Sequence, residues 1–438
     1  MKFGKVFYSI IGAILVIVLL IFSQLFLSID LNKTAVPVEK QIYFADNISQ
    51  AHRKVIEKFN ERYKGLIRVV PINLPFDKFS TNERKELFAR YFRSKSDRID
   101  VFAVDQIWVP RFAKMGINLD KYIPPDLKNE LLPQALKSCS YNDSLVALPL
   151  YIDISVMYYR DDLLRKYPDY NDIVKKLNNS ITWDDFIKLY EQKPSSPNPF
   201  YTFQADAYEG LICIFAEMLE GQKKNFVQGD KINLNTPEAR RSLQLLVDLV
   251  NKYKLSPMEV TRFKENQSYD YYLEKNGIFL RGWPGLSDNY KDVQDYQLAL
   301  NQIRMVPNPH FTGYKPVSVY GGWNLMISKF SSKIPEAVRF LKFVESEEAQ
   351  KIMFEDGGYL PVNEKIYSDS VYLQTHPDLK YYRSLFETGI YRPFTERYTN
   401  ISDILSFYLN QAIRQEISVN EALRKASEKI NSEAFLLK

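Results

Sequence analysis

The stretch "KQIYFADNISQAHRKVIEKFNERYKGLIRVVPINL", residues 40–74, predicts the fold class. Its two ends, "KQIYFADN" and "LIRVVPINL", are short apolar runs that are typical of buried strands. Between them Val55, Ile56 and Phe59 recur at helical spacing, and Gly65 follows as a helix terminator. A strand, a helix and a second strand in this order predict parallel pairing, with the helix on one face of the sheet.

The same alternation continues along the chain. Residues 80–96, "STNERKELFARYFRSKS", predict a basic amphipathic helix, and residues 99–105, "IDVFAVD", predict a third, buried strand. Further helices are predicted at residues 182–192, 236–253, 333–346 and 417–433, several with a capping residue or an early proline. With 438 residues the chain exceeds one ordinary domain, so the sequence predicts an α/β protein of two lobes.

Composition excludes several function classes. Lys and Arg number 58 against 53 Asp and Glu, and no run of like charges appears, so a nucleic-acid partner is not indicated. The three histidines stand far apart, and we therefore expect neither a metal site nor a cofactor. Cys139 and Cys213 are the only cysteines; we expect buried thiols, although a single disulfide stays open.

The N-terminus predicts a membrane anchor. Lys2 and Lys5 precede an uncharged stretch from Val6 to Ile29, which is long enough to cross a bilayer as a helix. The early lysines favour a cytoplasmic N-terminus and an exported body. Because no small-x-small cleavage site follows, we expect an uncleaved helix, while a cleaved signal peptide remains the alternative. No cysteine for lipid attachment follows the apolar stretch.

Polar and aromatic residues gather at predicted strand ends. Asp105 ends "IDVFAVD", Asp153 follows Tyr151 after "VALPL", and Trp283 follows "NGIFLRG". Ligands of open α/β sheets bind beyond the carboxyl ends of the strands. Carboxylates bond sugar hydroxyls, and the C–H face of a pyranose packs on an aromatic ring, so these positions favour a polyhydroxylated ligand. The alternative for each of these residues is a structural role: the aspartates as turn formers, and the aromatic rings as part of the core.

One further stretch, "VYGGWNLMISKF" (residues 319–330), is unusual for a core strand. Its right half alternates like a strand, but its left half places Trp323 beside Gly321 and Gly322. Adjacent glycines remove packing area from a strand and mark a place where another group approaches the backbone closely. We expect a ligand to reach the backbone amides there while Trp323 stacks on it.

Taken in order, the segments resemble the extracellular solute-binding proteins (family 1) of bacterial ABC sugar importers, which capture oligosaccharides such as maltose and trehalose. The resemblance runs from about Gln41 to the end of the chain. The segments that carry it are "AHRKVIEKFNERYKG", "DVFAVDQIWVPRFAKMGINLDKY", "ALPLYIDISVMYYRDDLLRKY", "FQADAYEGLICIFAEML", "GIFLRGWPG", "YGGWNLMISKFS", "EAVRFLKFVESEEAQKIMFEDGGYLP" and "YRPFTERYTNIS". Single segments are weak signals, but eight in family order are specific.

The resemblance implies a two-lobed periplasmic-binding-protein-like α/β fold (type II), with a hinge and a ligand cleft between the lobes. The implied hydrogen-bonding residues are Arg84, Asp105, Asp153 and Arg392, and the implied stacking or shape residues are Tyr151, Trp283, Gly321, Gly322, Trp323 and Gly358. The expected divisions are 1–40 (anchor and linker), 41–149 (lobe 1), 150–308 (lobe 2), 309–362 (return to lobe 1) and 363–438 (C-terminal helices of lobe 2). The expected partners are a carbohydrate, importer permease subunits and the membrane, with the chain a monomer outside the cytoplasm.

Two features depart from the family pattern, and two other functions stay open. After the first strand only Asp46, Asn47, Ser49 and Gln50 are available as first-lobe ligand residues, and the lipid-attachment cysteine is missing. A glycoside hydrolase would use Asp105 and Asp153 as acid and base. A tethered sugar sensor is the second alternative, although the residues before Val6 are too few for a cytoplasmic output domain.

Overall fold

The computed structural model describes residues 3–27, 39–75, 78, 81–95, 97–192, 198–223, 227–228 and 231–436. The strands are β1 (Lys40–Asp46), β2 (Ile67–Asn73), β3 (Val101–Asp105), β4 (Ser140–Tyr141), β5 (Ser144–Leu145), β6 (Leu148–Ile154), β7 (Val156–Arg160), β8 (Tyr201–Thr202), β9 (Val227–Gln228), β10 (Lys231–Ile232), β11 (Phe279–Gly282), β12 (Ile303–Val306), β13 (Ser318–Ile327) and β14 (Gly389–Ile390).

The helices alternate with these strands. They are α1 (Phe3–Leu27), α2 (Gln50–Arg62), α3 (Thr81–Arg93), α4 (Val109–Phe112), α5 (Pro125–Asn129), α6 (Pro133–Lys137), α7 (Asp161–Leu164), α8 (Tyr170–Asn178), α9 (Trp183–Glu191), α10 (Glu209–Gly221), α11 (Pro237–Asn251), α12 (Glu265–Glu274), α13 (Leu286–Tyr290), α14 (Gln297–Leu300), α15 (Ile334–Val344), α16 (Glu347–Gly357), α17 (Glu364–Ser368), α18 (Tyr372–Thr375), α19 (Asp378–Leu385), α20 (Tyr398–Ile413) and α21 (Val419–Leu436).

The first lobe is built on a mixed sheet in the order β14-β13-β3-β1-β2, and β6 also pairs with β13. Strand β1 pairs in parallel with β2 and β3, so the predicted order of three parallel strands joined by helices is confirmed. The side chain of Ser49 caps α2 by accepting from the amide of His52, and the helix buries Val55, Ile56 and Phe59 as the sequence spacing predicts.

The second lobe has its own sheet, in the order β12-β7-β11-β8. Helices α20 and α21 pack on α10 and α11 beside it. The two α/β lobes expected from the sequence are therefore present. Strand β14 nevertheless pairs with β13 in the first sheet, so the chain between 363 and 438 contributes to both lobes. The exact domain boundaries stay predictions.

Two of the crossings between the lobes meet at one buried polar cluster. Strand β6 of the first sheet continues into β7 of the second through Ser155 alone, and the later crossing leads from β12 into β13. The amide of Ser155 donates to the carbonyl of Val319 (3.1 Å), and the amide of Val319 donates to Ser155 Oγ (3.2 Å). Glu217 of α10 accepts from Ser155 Oγ and from the Val319 amide. These hydrogen bonds thus join the two crossings at the place where a hinge between the lobes is expected.

Several expectations about the rest of the chain are also answered. Cys139 and Cys213 are free and buried, as predicted. Helix α1 covers most of the predicted anchor, but no helix in the described part of the chain is both long and apolar enough to cross a membrane. Residues 28–38, expected to form the linker, lie outside the described residues. The membrane anchor therefore stays a prediction.

Gly322 sets the path of β13 past β6. Its φ is +124°, and a Cβ added there would lie 2.4 Å from the carbonyl oxygen of Tyr151 and 3.0 Å from the Cα of Ile152. The register between β13 and β6 shifts immediately afterwards, between Trp323 and Asn324. Gly322 is therefore required by the backbone of the sheet, because any side chain would collide with the neighbouring strand.

We expect Gly322→Ala to destabilise the protein more than Gly313→Ala. Gly313 has a φ of +86°, but nothing lies within 4 Å of its added Cβ, so that variant measures backbone strain alone. Strain should cost about 1 kcal/mol at Gly313, and strain plus collision about 2 to 4 kcal/mol at Gly322. Denaturant unfolding measures both, and equal losses in the two variants would contradict the role given to Gly322.

Candidate ligand-binding cleft

The pairing of β13 with its neighbouring strands brings five of the predicted site residues together, four of them around Trp323. Trp323 on β13 lies opposite Asp105 on β3 and opposite Tyr151 on β6. Gly321, two residues earlier, lies opposite Asp153 on β6. The two flanking strands therefore deliver a carboxylate each, and one of them a ring, to the half of β13 that contains the glycines.

Trp283 reaches this place from the second lobe. A Cβ added to Gly321 would lie 2.9 Å from Cζ3 of the Trp283 ring and 3.1 Å from the Cβ of Asp153. In this conformation the indole occupies the space that the missing side chain leaves. A ring of the protein thus fills the opening at Gly321, and contact between Gly321 and a ligand stays a prediction.

Trp283 is held in place by groups of its own lobe. Its backbone amide donates to Tyr269 Oη (3.0 Å), and Tyr158 Oη donates to its carbonyl (2.7 Å). The guanidinium of Arg281 lies over the ring, with Cζ 4.5 Å from the centroid, and pairs with Glu217 at 2.7 Å. The indole is half-buried, which leaves part of it accessible from the cleft.

Trp323 is more enclosed than its sequence position suggests. Only 8% of the residue is exposed, and the guanidinium of Arg84 lies over its ring, with Cζ 4.3 Å from the centroid. Trp108 packs against it in a T-shaped arrangement at 5.7 Å. A cation therefore covers one face of this ring, and stacking of Trp323 on a sugar stays a prediction. Trp323 belongs to the wall of the cleft.

Arg84 is fully buried and bonded to the protein. Its Nη2 donates to Oδ1 of Asp46 at 2.6 Å, and Oδ2 of Asp46 lies 3.3 Å from Nε2 of His52. The other ring nitrogen of His52 is 2.8 Å from Ser49 Oγ. Burial alone would raise the pKa of Asp46, but the bond to His52 and the charge of Arg84 outweigh burial and lower it. Asp46 therefore stays ionised.

The sequence left open the role of the polar residues that follow the first strand, and this cluster shows what some of them contact. Of Asp46, Asn47, Ser49 and Gln50, Asp46 bonds Arg84 directly, and Ser49 is connected to Asp46 through His52. Sequence reasoning missed His52, because a histidine one turn into a helix carries no sign of its partner. The available signal was that Asp46 ends β1 as Asp105 ends β3.

Arg392 joins the two lobes. Its Nη2 donates to Oδ1 of Asp105 on β3 (3.2 Å), and its Nη1 donates to Oε1 of Glu209 at the start of α10 (2.7 Å). Glu209 also accepts from Tyr398 Oη (2.5 Å) and from Ser402 Oγ. Burial raises the pKa of Glu209, and the charge of Arg392 opposes that rise. The sequence did not reveal Glu209, whose partners lie far along the chain.

Asp153 stands apart from these ion pairs. Within the described part of the chain, no cation or hydrogen-bond donor contacts its carboxyl. Burial, followed by the negative charge of Asp105, raises the pKa of Asp153 to about 7. Nearby, the rings of Tyr151 and Tyr359 pack with centroids 4.5 Å apart. Tyr359 was missed in the sequence because it lies in a loop after α16.

Gly358 meets the second lobe through its backbone. It ends α16 in the left-handed region, with a φ of +66°. A Cβ added there would lie 2.5 Å from the Cα of Gly285, which itself has a φ of +83°, and 2.6 Å from Oδ2 of Asp288. The two glycines let α16 of the first lobe and the start of α13 approach closely. A contact between Gly358 and a ligand stays a prediction.

Trp323→Ala should lower stability by about 3 to 5 kcal/mol, because the ring is buried against Trp108 and Arg84. Trp283→Ala, the matched control, should cost less than half of that, since its ring is half-buried. Denaturant unfolding of both variants measures the difference. If Trp323→Ala unfolds like the parent protein and loses only ligand binding, the assignment of Trp323 to the wall is wrong.

Comparison with known proteins places this geometry in a family. The model of the family described as bacterial extracellular solute-binding protein matches residues 45–351. A relative from Deinococcus radiodurans, described as a probable ABC transporter-binding protein, is 26% identical over 350 residues, or 78% of this chain and 82% of the relative.

Two solved structures show the same architecture. Maltose-bound MalE3 of T. maritima aligns with a TM-score of 0.81 and 26% identity, covering 89% of this chain and 99% of that one. The cyclic alpha-maltosyl-1,6-maltose binding protein of Arthrobacter globiformis aligns with a TM-score of 0.70 and 20% identity, covering 91% and 99%. The two lobes and the cleft between them are thus those of a known binding-protein fold.

Proposed function

The chain belongs to the bacterial extracellular solute-binding proteins, and on that premise we propose that it captures a di- or oligosaccharide and delivers it to an ABC importer. The observation that carries the proposal is the register of β13, which gathers Asp105, Asp153 and Tyr151 at one point. Trp283 completes the group from the other lobe. Such a mixture of carboxylates and rings suits sugar hydroxyls and the apolar face of a pyranose.

The similar proteins support the choice of ligand class. One of the solved structures holds maltose, and the other is named for a cyclic maltose derivative. The relative from Deinococcus is described as an ABC transporter-binding protein, which supports an importer as the partner. We infer that the chain acts as a monomer with its binding domain outside the cytoplasm.

Binding is proposed to work by closure of the lobes. A ligand shifts an open–closed balance only by its differential affinity for the closed form. In the conformation described here, Arg392 lies between Asp105 and Glu209, and Gly285 lies against Gly358. A sugar that touches β13 and Trp283 together would add contacts that exist only when the lobes meet.

A glycoside hydrolase is the less favoured alternative. Such an enzyme needs a carboxylic acid and a second carboxylate that both act on the scissile bond. Asp105 already accepts from Arg392 and from the amide of Ile107, both at Oδ1, so this carboxylate is engaged in an ion pair within the protein. We therefore propose binding without chemistry and without a cofactor, which an assay for release from chromogenic glycosides can test.

The N-terminal segment is proposed to anchor the protein in the membrane. The uncharged stretch from Val6 to Ile29 and the lysines before it support this, and a tethered sugar sensor remains compatible with it. N-terminal sequencing of the natively exported protein should read from Met1 in the membrane fraction. A start between Asp30 and Val38 in the soluble fraction would mean that the segment is cleaved.

We expect maltose, trehalose or a related oligosaccharide to raise the melting temperature and to compact the full-length protein. At a free concentration one hundred times the dissociation constant, a ligand stabilises the native state by about 2.7 kcal/mol. Calorimetry measures the first effect and small-angle scattering the second. If a broad panel of neutral and charged sugars produces neither effect, the carbohydrate assignment fails.

A further inference from the structure

Carboxyl groups outnumber cations around the cleft, although the chain as a whole carries a formal net charge of +5. Glu265 of α12 is a further carboxyl group of the cleft, because it interacts with the Trp283 indole. The carboxyls belong to Asp46, Asp105, Asp153, Glu209, Glu217 and Glu265, and the guanidinium groups to Arg84, Arg281 and Arg392. The walls of the cleft thus have an excess of negative charge.

Each of these guanidinium groups is already engaged. Arg84 pairs with Asp46, Arg281 with Glu217, and Arg392 with both Asp105 and Glu209. Lys85, next to Arg84 in the chain, points to Asp403 of α20, with 3.5 Å between the charged atoms. The described residues therefore leave Asp153 without a counter-charge. The Asp153 side chain is partly buried, and withdrawing a carboxylate from water is costly unless it is paired.

The charge of this carboxyl acts on the phenols of several tyrosines. Burial is the main cause that raises the pKa of the neighbouring phenols, and the negative charge of Asp153 adds to it. The phenols affected in this way are those of Tyr151 on β6, Tyr269 on α12, Tyr359 after α16, Tyr367 on α17 and Tyr382 on α19. Asp105 on β3 is the charged group that acts on Asp153 itself.

We propose that the ligand carries a protonated amine, as in an amino sugar, and that Asp153 supplies its counter-charge. The inference rests on the proposed function, because it names the class of sugar for the same cleft. An ammonium group would pair with a carboxylate of the cleft that no cation among the described residues contacts. The paired rings of Tyr151 and Tyr359 would add cation–π attraction, which strengthens when water is excluded.

The proposal predicts how pH affects binding. In the empty cleft Asp153 titrates near pH 7, so it is mostly neutral at pH 6 and mostly charged at pH 8. An ammonium binds the charged form, lowers the pKa of Asp153 and releases a proton. Affinity for an amine therefore rises as the pH increases through 7, until the amine of the ligand itself loses its proton. A neutral sugar should not show this rise.

The test compares sugars that differ in one group. Maltose and trehalose are each measured against derivatives in which one hydroxyl is replaced by a primary amine, with the N-acetylated derivatives as uncharged controls. The full-length protein is kept in a detergent without a sugar headgroup, and calorimetry is run in two buffers of different ionisation heat to count released protons. We expect at least one amine to bind roughly tenfold more tightly than its hydroxyl parent at pH 7.5, with proton release.

Two variants separate the role of Asp153 from a general effect of charge. Asp153→Asn should abolish the preference for the amine and the proton release, while neutral sugars lose at most a few-fold in affinity. Asp143→Asn is the matched control, because Asp143 is exposed in the turn between β4 and β5, and its left-handed backbone (φ 57°) suits asparagine. This variant should keep the preference.

Each outcome of these measurements either supports or overturns the role proposed for Asp153. If neutral sugars bind and the amines bind no better, Asp153 only accepts a hydroxyl; the inference fails and the proposed function stands. A preference for amines that persists in Asp153→Asn also overturns the assignment of the counter-charge. If no sugar of either class binds, the proposed function fails, and the inference fails with it.

Discussion

The constraint on which the molecule depends is the crowded passage of β13 between its neighbours. Gly322 has no room for a side chain beside the backbone of β6, and Gly321 has none beneath the Trp283 ring. The first contact fixes how two strands of one lobe meet, and the second fixes how closely the other lobe can approach. Because both contacts lie within two residues, the internal geometry of the first lobe and the closure of the cleft are coupled. A side chain at Gly321 would meet both Trp283 of the other lobe and Asp153 of β6.

Arginines are the second organising element, and they act mainly within the protein. Arg84 holds the ring of Trp323 and the carboxylate of Asp46, whereas Arg392 bonds one carboxylate from each lobe. The planar guanidinium suits such double contacts, because it donates in several directions while its face packs on a ring. These side chains therefore stabilise the walls, and the more accessible parts of the site fall to Trp283, Asp153 and Tyr359, which are only partly buried. Because the arginines are engaged within the walls, the cleft carries an excess of negative charge.

Local patterns in the sequence predicted the fold well. Short apolar runs and helical spacing are properties of neighbouring residues, so the parallel β1-β2-β3 arrangement and the cap at Thr182 could be read directly. Strand ends also pointed to Asp105 and Asp153, which both lie opposite the first half of β13, since the topology of α/β sheets gathers such ends. The roles of Trp323, Glu209 and His52 could not be predicted, because each depends on partners brought close only by tertiary packing. Gly321 and Gly322 were recognised as unusual, but their neighbours turned out to be protein groups.

Hydrogen–deuterium exchange with and without a bound sugar tests the central claim most directly, because it reports where a ligand acts along the backbone. Under saturating ligand, the account predicts slower exchange in the peptides that cover the end of β6, the residues after β11, the first half of β13 and the chain around Arg392. These segments are far apart in sequence and meet only in the cleft. Slower exchange confined to other segments, at a ligand concentration that calorimetry shows to be saturating, would contradict a binding site centred on β13.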